Sequence, residues 1–253
     1  MSQSPSAAGT VSPADDERLR SELAPTGTLR AGINLSNALF THQNAATGEL
    51  RGVSIDLMRE LASRLNVPVE FVMYKTPGDV VDAVDSNAWD VAVLAIEPAR
   101  AERIAFSPAM TEIEATYVVH QASPLRSVGE VDAPGVRIAA PDKAGYELFL
   151  TRTLRHATLV RANSFQASIE LFNEDGADAL AGLRPALIES MGKITDGRLL
   201  EGRFTTVSHG LATQRERRAA AQYLKTFVED INVSGFVARA IDRNGVRGMS
   251  AAS

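Results

Sequence analysis

The stretch from Asn87 to Ser107 places a cationic side chain at the start of a short helix. Its first part, 90–96, is an apolar run with β-branched residues, of the length of a strand buried on both faces of a parallel sheet. Pro98 suits the first turn of a helix. A helix that begins near Glu97 presents unpaired backbone N–H groups, and Arg100 lies within that turn, so an anionic ligand group can bind here. The alternative is an ordinary solvated arginine on a four-residue helix.

A second set of candidate ligand contacts follows the first predicted strand, in the loop NLSNALF. The short polar side chains of Asn34, Ser36 and Asn37 can hydrogen-bond a small solute. Phe40 can cover an apolar part of it. The alternative is that the Asn and Ser side chains only cap and turn the chain. We expect ligand contacts in this loop.

A third candidate lies in the second half of the chain, where Lys143, Gly145 and Tyr146 stand between a predicted strand and a predicted helix. A lysine beside a helix N-terminus favours an anion. The alternative is a solvated lysine at a turn. The residue pattern allows either interpretation.

These three loops need a scaffold that brings the carboxyl ends of strands together. Predicted strands and helices alternate in both halves, which indicates parallel sheets covered by helices. The clearest helix spans 53–65, where Val53, Leu57, Leu61 and Leu65 recur every four residues. Ligands of such sheets lie beyond the carboxyl ends of the strands. The predicted strands cover 28–34, 67–73, 90–95, 136–140, 157–161 and 178–181, and the predicted helices cover 14–23, 53–65, 77–86, 98–103, 144–155, 165–174, 184–191 and 215–231.

Composition restricts the classes of function. With 253 residues, 45% hydrophobic and 23% charged, the chain has the size and character of a globular protein. Its formal charge of −5 offers no basic surface for nucleic acid. The sequence has no cysteine, which removes disulfides and thiolate chemistry, and its four histidines show no zinc-site spacing. We therefore predict no nucleic-acid partner, no metal and no cofactor.

The N-terminal segment bears on location. Residues 1–24 are polar, rich in Ser, Ala, Pro and acidic residues, and contain no apolar core of a secretion signal. We predict that this segment is flexible, disordered over its first twelve residues, with a short helix at 14–23. No later run approaches the length of a membrane span. Either a secretion signal was removed and the protein is periplasmic, or the protein is cytoplasmic.

Four segments, taken in order, carry a resemblance to a known family. They are TLRAGIN at 28–34, GELRGVSIDLMRELASRL at 48–65, the Pro-x-Arg and Ala-Phe-Ser pattern within 87–107, and 135–146 followed by ADALAGLRP at 177–185. This order resembles the extracellular solute-binding proteins of family 3, the type II periplasmic binding proteins of amino-acid-type ABC transporters. The likeness extends over roughly residues 28 to 245.

The resemblance implies an α/β fold of two lobes, each a mostly parallel sheet flanked by helices, joined by two crossover strands. The extended runs at 116–120 and 205–213 are the candidates for these strands. Lobe 1 is then predicted to comprise 25–118 and 208–248, and lobe 2 to comprise 119–207. Hinge closure of the lobes over a solute follows from this arrangement.

The resemblance also implies a role for Arg100, because the matching arginine of the family binds the carboxylate of the ligand. Three positions depart from the family pattern. Ala95 and Ala144 stand where a hydroxyl is usual, and Leu183 stands where an Asp normally pairs with the α-ammonium of the ligand. A buried ammonium without a carboxylate is costly. The departures therefore indicate an organic acid or an amino-acid derivative.

Five further residues are placed in the cleft by this resemblance. Glu97 stands where Thr is frequent; it either supplies the missing negative charge or only stabilises the helix start. Arg184 either binds a second anionic group or lies on the surface. His209, on the second crossover strand, either touches the ligand or lines the hinge. Tyr117 and Ile96 complete the predicted ligand-binding set.

The favoured function is a monomeric receptor that captures a small anionic solute in the cleft and delivers it to an ABC transporter permease. The alternative is an enzyme or a cytoplasmic sensor on the same fold, similar to cyclohexadienyl dehydratase. In that enzyme Glu97, Lys143 or Glu147 would act as acid or base. Fold alone does not decide between the two functions.

Overall fold

A computed structural model of the protein describes residues 13–252. Within these residues strands and helices alternate in both halves of the chain, as predicted. The strands are β1 Leu29–Asn34, β2 His42–Gln43, β3 Leu50–Arg51, β4 Val69–Tyr74, β5 Val91–Ala95, β6 Ile104–Phe106, β7 Thr111–His120, β8 Arg137–Pro141, β9 Thr158–Ala162, β10 Ala179–Leu183, β11 Gly197–Leu199, β12 Thr205–Gln214 and β13 Met249–Ala251. The α-helices are α1 Pro13–Leu23, α2 Val53–Leu65, α3 Pro77–Asp82, α4 Pro98–Ala101, α5 Gly145–Thr153, α6 Phe165–Asn173, α7 Arg184–Ser190, α8 Arg218–Val233 and α9 Phe236–Arg243.

Eleven of these strands form one curled sheet to which each half of the chain contributes a parallel group. β1 is parallel to β4 and β5, and β8 is parallel to β9 and β10. Between the two groups lie β12 and β7, antiparallel to each other and to their neighbours β5 and β10. The predicted fold class, a two-lobed α/β fold with mostly parallel strands, is confirmed.

β7 and β12 run between the two parallel groups, and each is ten residues long. β7 pairs with β12 through its first half and with β10 through its second half. It begins at Thr111, earlier than the predicted run at 116–120. Thr111, Ile113 and Ala115 are buried and alternate with more exposed glutamates. This period of two is a strand signal that the prediction missed.

The helix α1 packs on α8 instead of forming part of the flexible N-terminal segment that was predicted. Leu19 and Leu23 are buried, and the Ala220 N–H in the first turns of α8 donates to the Glu22 carboxylate at 2.9 Å. The short helix predicted at 14–23 is thus present and docked. The predicted disorder of the first twelve residues lies outside the described residues.

The C-terminal region differs most from the prediction. The predicted helix over 215–231 is α8, and a second helix, α9, follows it unpredicted. Gly235 between them has a φ of 70°, a left-handed conformation that glycine adopts without strain and that lets the chain turn. Val237, Ala240 and Ile241 then bury one face of α9. The short strand β13 pairs with the first half of β7.

Candidate ligand-binding site

A cavity of about 380 Å³ lies between the two lobes. Its walls come from β1, β5 and the loops after them in lobe 1, and from the loops after β8, β9 and β10 in lobe 2. The cavity therefore lies beyond the carboxyl ends of the parallel strands, where ligands of such sheets bind. Nine of the predicted ligand-binding residues line it, namely Asn34, Ser36, Asn37, Phe40, Arg100, Gly145, Tyr146, Leu183 and His209.

Arg100 is the buried cation of this cavity, with 4% of its surface exposed. Its Nη1 donates to the Ala95 carbonyl at 3.0 Å, and its Nη2 donates to the Lys143 carbonyl at 2.8 Å. Burial lowers the pKa of Arg100 to about 10, while the nearby carboxylates of Glu97 and Glu147 act in the opposite direction. Both of those carboxylates are bound by other arginines. Because a guanidinium has five N–H donors, Arg100 keeps donors for an anionic ligand group.

The predicted contacts Glu97 and Lys143 do not line the cavity. Glu97 is buried and forms an ion pair with Arg152 of α5, in the other lobe. Lys143 Nζ lies 2.7 Å from the Asp82 carboxylate of α3, again across the lobes. Each side chain thus has a counter-ion within the protein. Together with the bond from Arg100 to the Lys143 carbonyl, these two pairs hold the lobes against each other.

Three further predicted contacts also lie outside the cavity lining. Tyr117 is buried and stacks on Phe204, with ring centroids 4.4 Å apart, and burial raises the pKa of its hydroxyl. Arg184 forms an ion pair with Glu114 of β7 at 2.9 Å. The Ile96 N–H donates to the backbone of β12 at 2.9 Å and extends the pairing of β5. The structure brings these residues to β7 and β12, the strands between the two lobes, and not into the cavity.

The loop after β1 lines the cavity and also turns the chain. Asn34 Oδ1 accepts hydrogen bonds from the Ser36 backbone N–H at 3.0 Å and from the Ser36 hydroxyl at 2.9 Å. Asn37 Oδ1 accepts from the Leu39 N–H at 3.2 Å. These are the local side-chain bonds that Asn makes in turns. The capping role is therefore present, and the side-chain amide nitrogens are the groups left for a ligand.

His209 of β12 lines the same cavity and is 6% exposed. Its ring lies 4.6 Å from the Phe40 ring, centroid to centroid. Its Nδ1 has no hydrogen-bond partner among the described residues, although the atom is buried. Burial first, and the charge of Arg100 second, lower the pKa of His209 to about 3. The imidazole is therefore neutral at physiological pH.

Small and apolar residues occupy the positions at which the sequence departs from the family pattern. A Cβ on Gly145 would lie 2.6 Å from the Ala95 Cβ, so the lobes touch closely at this point. Leu183 ends β10, is 7% exposed and lines the cavity. Among the described lining residues the acidic side chains, Asp142 and Glu189, belong to exposed residues. The buried part of the cavity thus contains a cation and no carboxylate.

Several lining residues were not predicted. Residues 163–165 follow β9 and Thr76 follows β4, so the rule that sites collect at carboxyl strand ends identifies both. Thr41 and Ser54 are buried and share a hydrogen bond of 2.6 Å between their hydroxyl oxygens. They come from the segment 35–52 and from α2, and no local pattern marks them.

The described residues contain no cluster of three or more His, Cys, Asp or Glu side chains that could hold a metal ion. Over the same part of the chain, no helix combines the length and the apolar character needed to cross a membrane.

Two lobes around a cavity with a buried arginine have the geometry of a cleft-binding protein of the solute-receptor class. The chain belongs to the bacterial extracellular solute-binding proteins, family 3, whose sequence profile matches residues 29–244. The resemblance drawn from the sequence is thereby confirmed. None of the curated proteins matches the chain.

Solved structures of similar fold come from binding proteins. A mutant of ArgBP from T. maritima has a TM-score of 0.73 at 19% identity and covers 89% of this chain and 98% of its own. An ancestral amino acid-binding protein, a precursor of cyclohexadienyl dehydratase, has a TM-score of 0.72 at 21% identity, with 88% and 97% covered. An amino acid ABC transporter substrate-binding protein from Streptococcus pneumoniae, bound to L-arginine, has a TM-score of 0.73 at 18% identity. The match covers 88% of this chain and 96% of that protein. At these identities the likeness shows the fold alone.

Proposed function

We propose that this chain is the receptor of an ABC-type uptake system and binds a small carboxylate-bearing solute, an organic acid or an amino-acid derivative, in the interlobe cavity. Membership of family 3 supports the receptor class. The hinge strands β7 and β12 support closure of the lobes around the solute.

The buried guanidinium of Arg100 is the observation that supports a carboxylate-bearing ligand. The two hydrogen bonds of this side chain go to backbone carbonyls, and the described residues place no carboxylate within salt-bridge distance of it. A buried charge without a counter-ion is unfavourable. A ligand carboxylate in the cavity would supply the missing counter-ion of Arg100. The contact would be planar and two-pointed, which Arg makes better than Lys.

Partner and location belong to the same proposal. A receptor of this family hands its solute to a membrane permease, so we propose that the protein acts as a monomer in the periplasm. Co-purification with the permease, tested by cross-linking in the presence and absence of solute, examines the partner. Retention in the cytoplasmic fraction of the native host would contradict the location.

Calorimetric titration with small mono- and dicarboxylates tests the ligand class, using protein unfolded and refolded to remove co-purified molecules. We expect one or more acids to bind, and Arg100→Ala to weaken them about 100-fold, since a partly desolvated charge-assisted pair contributes a few kcal/mol. Arg100→Lys keeps the charge but not the two-point contact, and we expect intermediate binding.

Arg103→Ala is the matched control. Arg103 lies three residues further along the chain and pairs with the exposed Asp85 on the surface. Its removal is expected to leave binding unchanged. Full affinity in Arg100→Ala, or no binding by any acid, would contradict the proposal.

The enzyme alternative finds less support in the geometry. Of its three acid–base candidates, Glu97 is paired with Arg152 and Lys143 with Asp82. Glu147 is buried and bound by Arg161 Nε at 2.9 Å. None of the three lines the cavity. Turnover of a prephenate-like acid that is lost in Glu147→Gln would reverse this preference.

A further inference from the structure

The His209 ring lies beside the Val207 backbone, which favours its protonated form, but within the described part of the chain one ring nitrogen is left without a hydrogen bond of normal geometry. His209 Nδ1 is buried and has no hydrogen-bond partner among the described residues. Buried polar atoms are nearly always hydrogen-bonded, because an unmade bond leaves the full cost of desolvation. Since His209 lines the cavity, a molecule in the cavity is the available partner.

This atom is close to the anion-binding group. In the antiparallel pairing of β12 with β5, His209 stands opposite Ala95. The Ala95 carbonyl in turn accepts the Nη1 hydrogen bond of Arg100 at 3.0 Å. Directly opposed residues of a sheet have Cβ atoms about 5 Å apart. A ligand whose carboxylate lies at Arg100 therefore has its neighbouring atoms within reach of His209.

The surroundings of this point disfavour a second positive charge. The charge of the buried Arg100 cation acts on His209, and the imidazole is neutral. The acidic residues of the described lining, Asp142 and Glu189, are exposed, and Leu183 presents an apolar side chain. An ammonium group next to the bound carboxylate would meet the Arg100 cation, while the nearby buried carboxylates of Glu97 and Glu147 are already paired with Arg152 and Arg161.

From this geometry we infer that His209 selects the ligand: its Nδ1 hydrogen-bonds an uncharged hydroxyl or oxo group next to the carboxylate held by Arg100, so the cavity takes a 2-hydroxy or 2-oxo acid in preference to the 2-amino acid. Neutral imidazole can accept from a hydroxyl at Nδ1 or, in its other tautomer, donate to a hydroxyl or an oxo group. The Phe40 ring packs against the imidazole at a tilt of 44° and limits its movement. The inference rests on the proposed function and specifies its ligand class.

Sets of acids that share one carbon skeleton test this selection by calorimetry. Each set comprises the unsubstituted, 2-hydroxy, 2-oxo and 2-amino forms, on the propanoate, 4-methylpentanoate and 3-phenylpropanoate skeletons. In the best-binding set we expect the 2-hydroxy or 2-oxo acid to bind at least about tenfold tighter than the 2-amino acid, in line with the cost of an unpaired buried group.

Two variants isolate the contribution of Nδ1. His209→Leu removes the polar atom, and we expect the preferred acid to bind about 10- to 100-fold more weakly while the unsubstituted acid is unaffected. His209→Asn places an amide atom near the position of Nδ1 and is expected to retain the preference. If His209→Leu fails to fold, His209→Phe replaces it, because that variant keeps a ring beside Phe40.

The outcomes separate the two proposals. A 2-amino acid that binds as tightly as its 2-hydroxy and 2-oxo counterparts, or an unchanged affinity in His209→Leu, would overturn the role of His209 and leave the carboxylate receptor in place. Failure of every acid to bind, or binding that survives Arg100→Ala, would overturn the proposed function and this inference with it.

Discussion

A buried charged residue stands at each end of β5. Before its start, the fully buried Asp90 carboxylate accepts hydrogen bonds from Arg30 Nε at 3.0 Å and Nη2 at 2.7 Å, and from Arg217 Nη1 at 2.8 Å. Beyond its end, the buried Arg100 bonds only to the carbonyls of Ala95 and Lys143. The first charge is balanced within the fold, whereas the second has no counter-ion of its own. An unbalanced buried charge at the carboxyl end of a strand indicates a binding site, and a balanced one indicates a structural role.

The largest expected effect concerns Asp90, the buried charge that is balanced within the fold. Asp90→Asn leaves Arg30 and Arg217 without their buried counter-ion, so we expect the free energy of unfolding to fall by about 3–5 kcal/mol. Denaturant titration measures this change. Asp85→Asn, which removes an exposed partner of Arg103, is the control and should have little effect. Wild-type stability in Asp90→Asn would contradict the structural role.

A second prediction concerns the contact between the lobes at Ala95, the last residue of β5. Gly145→Ala places a Cβ about 2.6 Å from the Ala95 Cβ, so closure over a ligand is resisted. Overpacking of this kind costs about 1–3 kcal/mol, which we expect to appear as weaker binding in calorimetry. Gly129→Ala is the matched control, because a Cβ there meets nothing within 4 Å. Equal affinity of the two variants would show that the lobes close differently.

A third prediction follows from the pKa of His209, which burial and the charge of Arg100 lower from 6.5 to about 3. The unfolded chain binds a proton near pH 6.5 that the folded protein does not bind until about pH 3. The free energy of unfolding therefore falls as the pH drops through this window, by about 2 kcal/mol between pH 7 and pH 5. The difference between the wild type and His209→Asn measures this loss. Parallel pH profiles would mean that folding leaves the pKa of His209 unchanged.

The smallest expected effect is that of the ion pair between Lys143 and Asp82 of the two lobes, in which both side chains are at least half exposed. We expect a double-mutant cycle with Lys143→Met and Asp82→Asn to give a coupling below about 1 kcal/mol that decreases with salt. A much larger coupling would place this pair among the determinants of closure, beside the Arg100 contact.

Local patterns predicted the regular elements well and the long-range pairs poorly. The four-residue period of α2 and the apolar run of β5 are visible in the sequence because each element buries one face or both. The helix α9 was missed because Gly235 interrupts the pattern after α8. The first half of β7 alternates with a period of two, and the prediction overlooked this signal.

For the site, nine of the predicted ligand contacts line the cavity, with Arg100 the clearest case, and their contact with a ligand stays a prediction. The residues that fell outside the cavity did so because their partners come from distant parts of the chain. Glu97 is paired with Arg152, and Tyr117 with Phe204. No spacing within the sequence encodes such pairs, since they depend on how the lobes pack.

The sequence by itself indicated the family, through the resemblance of four segments. It also predicted most of the regular elements and the cation beyond the end of β5, because these depend on short-range periodicity and on local residue types. Only the tertiary structure decided that Asp90 is balanced while Arg100 is not, and that His209 lies opposite Ala95 beside that arginine. Counter-ions and hydrogen-bond partners act over a few ångströms in space and without regard to distance along the chain. Which charges remain for a ligand is therefore known only after folding.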